Sequence, residues 1–131
     1  MSLPSVKVDI APGELIDKIT ILTIKSNRIK DPEKLEHVHI ELDALTAARD
    51  EVLKQSESLN KLSIKLREVN ERLWVIEDDI RECEAEKNFG NNFIQLARSV
   101  YKQNDERARL KREINDLLGS RILEQKSYKS Y

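Results

Sequence analysis

Polar and aromatic side chains recur at helical spacing in the second half of the chain, and they are the residues best suited to hold a ligand. Steps of four and three residues place one group on a single helix face: Asn70, Trp74, Glu77, Arg81 and Glu84. A second group follows on the next predicted helix: Arg98, Tyr101 and Asp105, with Asn104 and Lys111 beside them. Such a mixture is typical of a ligand pocket. It is also typical of a buried polar network that fixes helix alignment, and this structural role is the interpretation that we favour.

The two groups are expected to face each other. A short turn separates the helices that carry them, so these helices should be antiparallel neighbours. Trp74 lies about as far before the turn as Asp105 lies after it. The spacing therefore predicts that Trp74 faces Tyr101 and Asp105, with Arg98 level with Arg81 or with Glu84.

Metal binding and nucleophilic catalysis find little support in the sequence. His37 and His39 point about 200° apart around a helix, so they cannot share a metal ion. Some helical enzymes bind magnesium through acidic pairs spaced by three residues, but such pairs are about as frequent here as chance predicts. Only residues 77–79 form a local concentration of acids. Cys83 falls in an apolar row and fits a core residue better than a nucleophile. We therefore expect no metal and no cofactor, and we favour a role without catalysis.

The charge balance limits the classes of partner. Lys and Arg number 23, Asp and Glu number 24, and the net charge is −1, so the chain has no strong field to attract nucleic acid. No stretch approaches the roughly 20 apolar residues of a membrane span. The single cysteine cannot form an internal disulfide, which fits a reducing compartment. We therefore expect a cytoplasmic protein that binds neither nucleic acid nor membrane.

The hydrophobic pattern predicts an all-α protein, an elongated antiparallel four-helix arrangement with coiled-coil-like packing. Gly and Pro are scarce, three of each, which suits long helices. Apolar and polar residues alternate over 5–10, which predicts a short N-terminal strand that pairs with the segment around Ile122 and Leu123 or with a second subunit. A single helical domain, 1–131, would contain helices at 12–29, 32–54, 59–87 and 92–118 and a tail at 120–131.

Local signals set these helix boundaries. Pro12 suits the first position of the first helix, and Asp31 before a proline suits the cap of the second. Gly90 suits a left-handed cap at the end of the third helix, and 92–95 resembles a capping box for the fourth. Gly119 is expected to end the fourth helix. The first helix is apolar on more than one face, which predicts a central or interface position.

Apolar residues return every seventh position through the middle of the chain, as they do in helices packed like coiled coils. The row consists of Val38, Leu45, Val52, Leu59, Leu66, Leu73 and Ile80. A second apolar row changes side near 55–58, where serines can end one helix and cap the next. We therefore predict two helices joined by a tight turn. One continuous rod remains the alternative.

Several segments together resemble a family of small bacterial and phage proteins without an assigned function. The first is 12–22, with the sequence PGELIDKITIL. The others are NERLW at 70–74, IED at 76–78, IR at 80–81, FI at 93–94, LARSVY at 96–101, ND at 104–105, RA at 107–108, GS at 119–120 and EQKSY at 124–128. The resemblance covers nearly the whole chain and is weakest over 46–64. It implies a helical architecture and a bacterial or phage origin, but no activity. It also groups Glu14 and Lys18 with the polar residues of the third and fourth helices.

These observations lead to three functional hypotheses. The one we favour is a non-catalytic interaction or scaffold module that forms a homodimer, because the first helix has several apolar faces and the strand has no partner. The alternatives are a small helical enzyme acting on an anionic or phosphorylated metabolite and a binder of such a ligand, both using the polar residues described above.

Overall fold

The computed structural model describes residues 4–120 and 127–131, and it consists of four α-helices joined by short loops. They are α1 (Pro12–Arg28), α2 (Pro32–Val52), α3 (Glu57–Ala85) and α4 (Asn91–Leu118). Each helix begins and ends within two residues of the predicted bounds. The predicted all-α, four-helix fold is confirmed. Residues 53–56 separate α2 from α3, so the two are not one continuous rod.

Helix α1 lies at the centre of the arrangement and contacts each of the other three helices. Its apolar residues on several faces are therefore covered within the chain itself, as its pattern suggested. Helices α3 and α4 form an antiparallel pair: Asn92 lies 3.9 Å from the Cys83 sulfur near the turn, and the Arg72 Nε donates to Gln103 at 3.0 Å farther along. Among the four helices, α2 packs against α1 alone.

The core forms where α1, α3 and α4 meet. Its fully buried members are Ile16, Leu59, Leu66, Val69, Leu110 and Ile114. Burying branched aliphatic side chains of this size contributes about 1.5–3 kcal/mol each. The core therefore fixes how the three helices are positioned, and with them the polar side chains at their edges.

The seven-residue row is used in α3 but only partly in α2. Leu59 and Leu66 are almost fully buried in the core. Val52, one step earlier in the same row, is 74% exposed, and Val38 is the only buried residue of α2. The difference arises because α2 has a single helix to pack against, so most of its row has no facing partner.

Most predicted caps are present, but the turn before α4 differs from expectation. Asp31 accepts a hydrogen bond from the Glu33 N–H, Ser56 accepts one from Leu59, and Gly119 ends α4 in the left-handed conformation. The prediction for Gly90 is wrong: its φ is −79° and it precedes α4 as the N-cap, whereas Lys87 takes the positive φ. No side-chain hydrogen bond caps α4, so the capping box predicted at 92–95 does not form.

The short strand predicted at 5–10 is not observed. Within residues 4–120 and 127–131 no strand is formed, and the segment before α1 runs without a neighbouring strand to pair with. A strand needs a second edge for its backbone hydrogen bonds. The predicted intramolecular partner, around Ile122 and Leu123, lies outside the described residues.

Candidate functional site

A buried polar network joins α1, α3 and α4. Asp17 of α1 is 1% exposed and accepts two hydrogen bonds from Arg107 of α4, at 2.9 Å from Nε and 2.5 Å from Nη2. Asn70 of α3 donates to the Asp17 carboxylate at 2.9 Å and to the Thr20 hydroxyl at 2.8 Å. The Thr20 hydroxyl in turn donates to the Asp17 backbone carbonyl at 2.7 Å. These contacts satisfy the polar atoms that burial would otherwise leave at a high cost.

The N-terminus of α1 is held against α4 by two further contacts. The Gly13 N–H donates to the Asn115 side-chain oxygen at 2.7 Å, which gives the helix a cap from a distant part of the chain. The Lys111 ammonium, largely buried, lies 2.7 Å from a Glu14 carboxylate oxygen. A side chain at position 13 would fall against the Lys111 backbone carbonyl, so glycine permits this close approach.

A cleft opens beside this network, and we call it the Trp74 cleft. It is a cavity of about 560 Å³ between α1, α3 and α4, lined by Ile21, Ile24, Asn70, Leu73, Trp74, Glu77, Asp78, Arg81, Asn104 and Arg107. Aliphatic side chains and the indole form its apolar surface, and charged and amide groups surround them. The structure thus brings together half of the predicted site residues: Asn70, Trp74, Glu77, Arg81 and Asn104.

The Trp74 ring contacts Arg28, which forms an ion pair with Glu71 and does not line the cleft. The guanidinium of Arg28, at the end of α1, lies 5.9 Å from the centre of the ring, within the range of a cation–π interaction. Arg28 also forms a salt bridge with Glu71 at 2.8 Å. The indole therefore lies near a guanidinium and also lines the cleft, which suits it to act as a binding surface.

The charges that line the Trp74 cleft are mixed. Arg107 has its charge matched by the buried Asp17 carboxylate. Glu77, Asp78 and Arg81 are exposed to solvent, and none of the three forms a salt bridge within the described residues. Two acids and one base therefore face any ligand. This arrangement can bind an apolar group together with hydrogen-bond donors, but it offers little positive charge for a phosphate.

Tyr101 and Asp105, which were predicted to face Trp74, do not line the Trp74 cleft. Tyr101 packs edge-on against Tyr131 at 5.4 Å between ring centres, and the Tyr131 hydroxyl donates to Asp105 at 2.7 Å. This hydrogen bond to Asp105 raises the pKa of Tyr131. Tyr101 and Asp105 thus face the C-terminal segment 127–131 and not the Trp74 cleft.

The remaining predicted site residues lie outside the cleft as well. Arg98 is exposed and donates to Gln95 at 3.2 Å on its own helix. Glu14 lies at the start of α1, between the Lys111 ammonium and Lys18, which is 4.0 Å away. The ten residues are therefore divided among the cleft, the tail contact, the α1 N-terminus and the α4 surface.

Sequence reasoning missed the centre of the polar network. Asp17 lies near the start of α1, where the helix dipole alone favours an acid, and Arg107 lies in a run of basic residues that has acids on either side. A signal was available only for the neighbouring Glu14–Lys111 contact. Lys111 interrupts the apolar row of α4, which consists of Phe93, Ala97, Val100, Ile114 and Leu118, and it is 7% exposed. A charged residue in a buried row requires a partner on the facing helix, and Glu14 provides it.

Two further findings concern metals and membranes. Within residues 4–120 and 127–131, no three or more His, Cys, Asp and Glu side chains come together as metal ligands would. None of the four helices combines the length and the apolar character that crossing a bilayer requires.

Comparison with known proteins gives a family but no described relative. No curated protein matches the sequence, and no solved structure matches it. One family model, described as a family of unknown function (DUF6165), matches residues 6–131. Because this match spans nearly the whole chain, the protein belongs to the uncharacterised family DUF6165.

Proposed function

We propose that this protein is a non-catalytic interaction module that binds a segment of a protein partner in the Trp74 cleft. The observation that supports the proposal is an open cleft of about 560 Å³ that a tryptophan lines together with aliphatic side chains, with charged groups around them. Tryptophan and arginine are the residues most enriched among those that dominate binding energy at interfaces, and they act best in pockets surrounded by polar groups.

The charges indicate the chemistry of the partner segment. Glu77 and Asp78 lie on consecutive positions of α3 at the edge of the cleft, and both are exposed. A segment that places an apolar side chain against Trp74 and a lysine or arginine against these acids would match both features. Arg81, one turn farther along, would donate hydrogen bonds to a carboxylate or a carbonyl oxygen of the same segment.

Site-specific photo-crosslinking in the cells that produce the protein tests this proposal. A benzophenone side chain introduced at Arg81, which lines the cleft, should give a discrete adduct with one partner. The matched control places it at Glu82, the next exposed residue of α3, which does not line the cleft. The adduct should disappear in the Trp74→Ala variant, and mass spectrometry should map it to a segment with adjacent apolar and basic residues.

A charge reversal provides a quantitative check with the crosslinked segment as a synthetic peptide. Asp78→Lys should weaken binding about tenfold, the loss expected when a like charge replaces a rim partner. Asp79→Lys changes the charge by the same amount one position away from the cleft and should have little effect. An adduct of equal yield at Arg81 and Glu82, or equal losses from the two reversals, would contradict the proposal.

A second candidate is a small helical enzyme or ligand-binding protein for an anionic or phosphorylated metabolite. The cavity volume supports a small-molecule site, whereas the two acids of the lining disfavour an anion. About 560 Å³ falls within the usual 300–1,000 Å³ of small-molecule sites. Trp74 is the only tryptophan of the chain, so its fluorescence reports on the cleft directly. Titration with nucleotides, sugar phosphates and divalent ions should give a saturable change, and a higher melting temperature, only if this second candidate is correct.

A further inference from the structure

The segment before α1 carries a row of apolar side chains that the described chain leaves largely exposed. Val6 is 85% exposed and Val8 is 71% exposed, whereas Ile10, nearer the helix, is 41% exposed. Val52, at the end of α2, is 74% exposed and lines the same surface groove as Val8 and Ile10. We propose that residues 5–11 pair with the same segment of a second copy, as a two-stranded antiparallel ribbon with Val8 at the twofold axis.

The charges of the segment select this alignment. With Val8 opposite Val8 of the second copy, Lys7 lies opposite Asp9 twice, and Val6 lies opposite Ile10 twice. Moving the axis to Lys7 places the two lysines opposite each other, and moving it to Asp9 does the same for the two aspartates. Opposite charges on facing positions stabilise an antiparallel pair, whereas like charges destabilise it. Asp9 also has an interaction within its own chain, and a carboxylate has acceptor sites for more than one partner.

Two prolines bound the paired segment symmetrically. Pro4 and Pro12 lie four residues to either side of Val8, and neither has a backbone N–H for a ladder. Pairing therefore ends at the same distance from the axis in both directions. At about 3.4 Å per residue, the two copies of Ala11 would lie roughly 20 Å apart, about twice the diameter of one helix.

The apolar face of the ribbon explains why the valines are exposed in one copy. Residues 6, 8 and 10 alternate with the polar positions and so share one face of the ribbon. In the dimer, that face would lie over the groove in which Val52 is exposed. A two-stranded ribbon alone is barely stable in water, so the dimer depends on this packing. The proposal does not involve the Trp74 cleft and stands or falls independently of it.

Cysteine substitution tests the alignment directly. The only natural cysteine, Cys83, is buried, so a new one in the segment provides a single exposed thiol. In the proposed ribbon, Val8→Cys places two thiols opposite each other at a separation that a disulfide spans. Val6→Cys is the matched control, because its two copies would lie about 14 Å apart. Under mild oxidation, the disulfide-linked dimer should form at least about tenfold faster with Val8→Cys than with Val6→Cys.

Charge reversal gives an independent measurement by analytical ultracentrifugation. The wild-type chain should dimerise, whereas Lys7→Asp and Asp9→Lys should each be monomeric at the same concentration, because each places like charges opposite. Mixing the two variants should restore a dimer, since every facing pair is again opposite in charge. Circular dichroism checks that the helices are intact. A monomeric wild-type chain, equal oxidation rates at the two cysteine positions, or dimerisation of both single variants would overturn the proposal.

Discussion

Asp17 and Arg107 face each other across the contact between α1 and α4, with both carboxylate oxygens bound by the guanidinium at 2.9 and 2.5 Å. The aspartate side chain is 1% exposed and the arginine side chain is 30% exposed. Arg107 lines the Trp74 cleft, and Asp17 directly follows the core residue Ile16 in α1. Two parallel hydrogen bonds fix direction as well as distance, which makes the pair a determinant of how the two helices align.

Removing the charge of Asp17 should be costly. Asp17→Asn leaves the Arg107 guanidinium without its anion, and breaking a buried ion pair typically costs about 3–5 kcal/mol. Because Arg107 is partly solvated, we expect about 3 kcal/mol, the lower end of that range. Glu57→Gln, which breaks an exposed pair with Lys61, should change stability by less than about 0.5 kcal/mol. Urea denaturation measures both, and equal losses would show that Asp17 is not a structural anion.

The close approach of α1 and α4 at Gly13 should not tolerate a side chain. In Gly13→Ala the new methyl group meets the Lys111 backbone carbonyl, so the two helices must move apart. Overpacking of this kind costs about 1–3 kcal/mol. Gly90→Ser is the control, because position 90 has an ordinary φ and serine is a preferred N-cap. Thermal unfolding should show a lower melting temperature for Gly13→Ala only.

Truncating two members of the same seven-residue row should change the stability of the protein by very different amounts. Leu66 is fully buried in the core, and Leu66→Ala should cost about 2–5 kcal/mol. Val52 is 74% exposed, and Val52→Ala should change the free energy of unfolding of the monomer by less than about 0.5 kcal/mol. Denaturation at a concentration too low for self-association provides the comparison. Similar losses at the two positions would mean that α2 packs more fully than the structure shows.

The contact between the C-terminal segment and α4 should be lost at alkaline pH. The hydrogen bond to Asp105 raises the pKa of Tyr131 above its ordinary value of 10.0. The neutral hydroxyl is the donor, so the contact is present below pH 10 and is lost as the pH rises through the raised pKa. Absorbance titration of the tyrosines, as the difference between the wild type and Tyr131→Phe, isolates this group. Asp105→Asn should lower the pKa of Tyr131 towards 10.0; an unchanged value would contradict the assignment.

The sequence was sufficient to predict where the helices begin and end, but it was insufficient to predict which side chains meet in the Trp74 cleft. Proline, aspartate, serine and glycine signals act through neighbouring backbone, so Pro12, Asp31, Ser56 and Gly119 could be interpreted locally. Trp74 and Asn104 line one cleft because of how α1 packs against the α3–α4 pair, and no short-range pattern encodes this packing. The exposure of Val52 has the same origin, since the row does not reveal that α2 meets one helix only.

That single contact of α2 implies an order in which the molecule opens. Helix α2 can detach by losing one interface, whereas α1, α3 and α4 share a core and must separate together. Backbone amides of Pro32–Val52 should therefore exchange with deuterium through a low-energy partial opening, well before those of Glu57–Ala85 and Asn91–Leu118. The protein would then exist briefly as a three-helix body with α1 bare along one side, and this partly open form is where proteases would first cut.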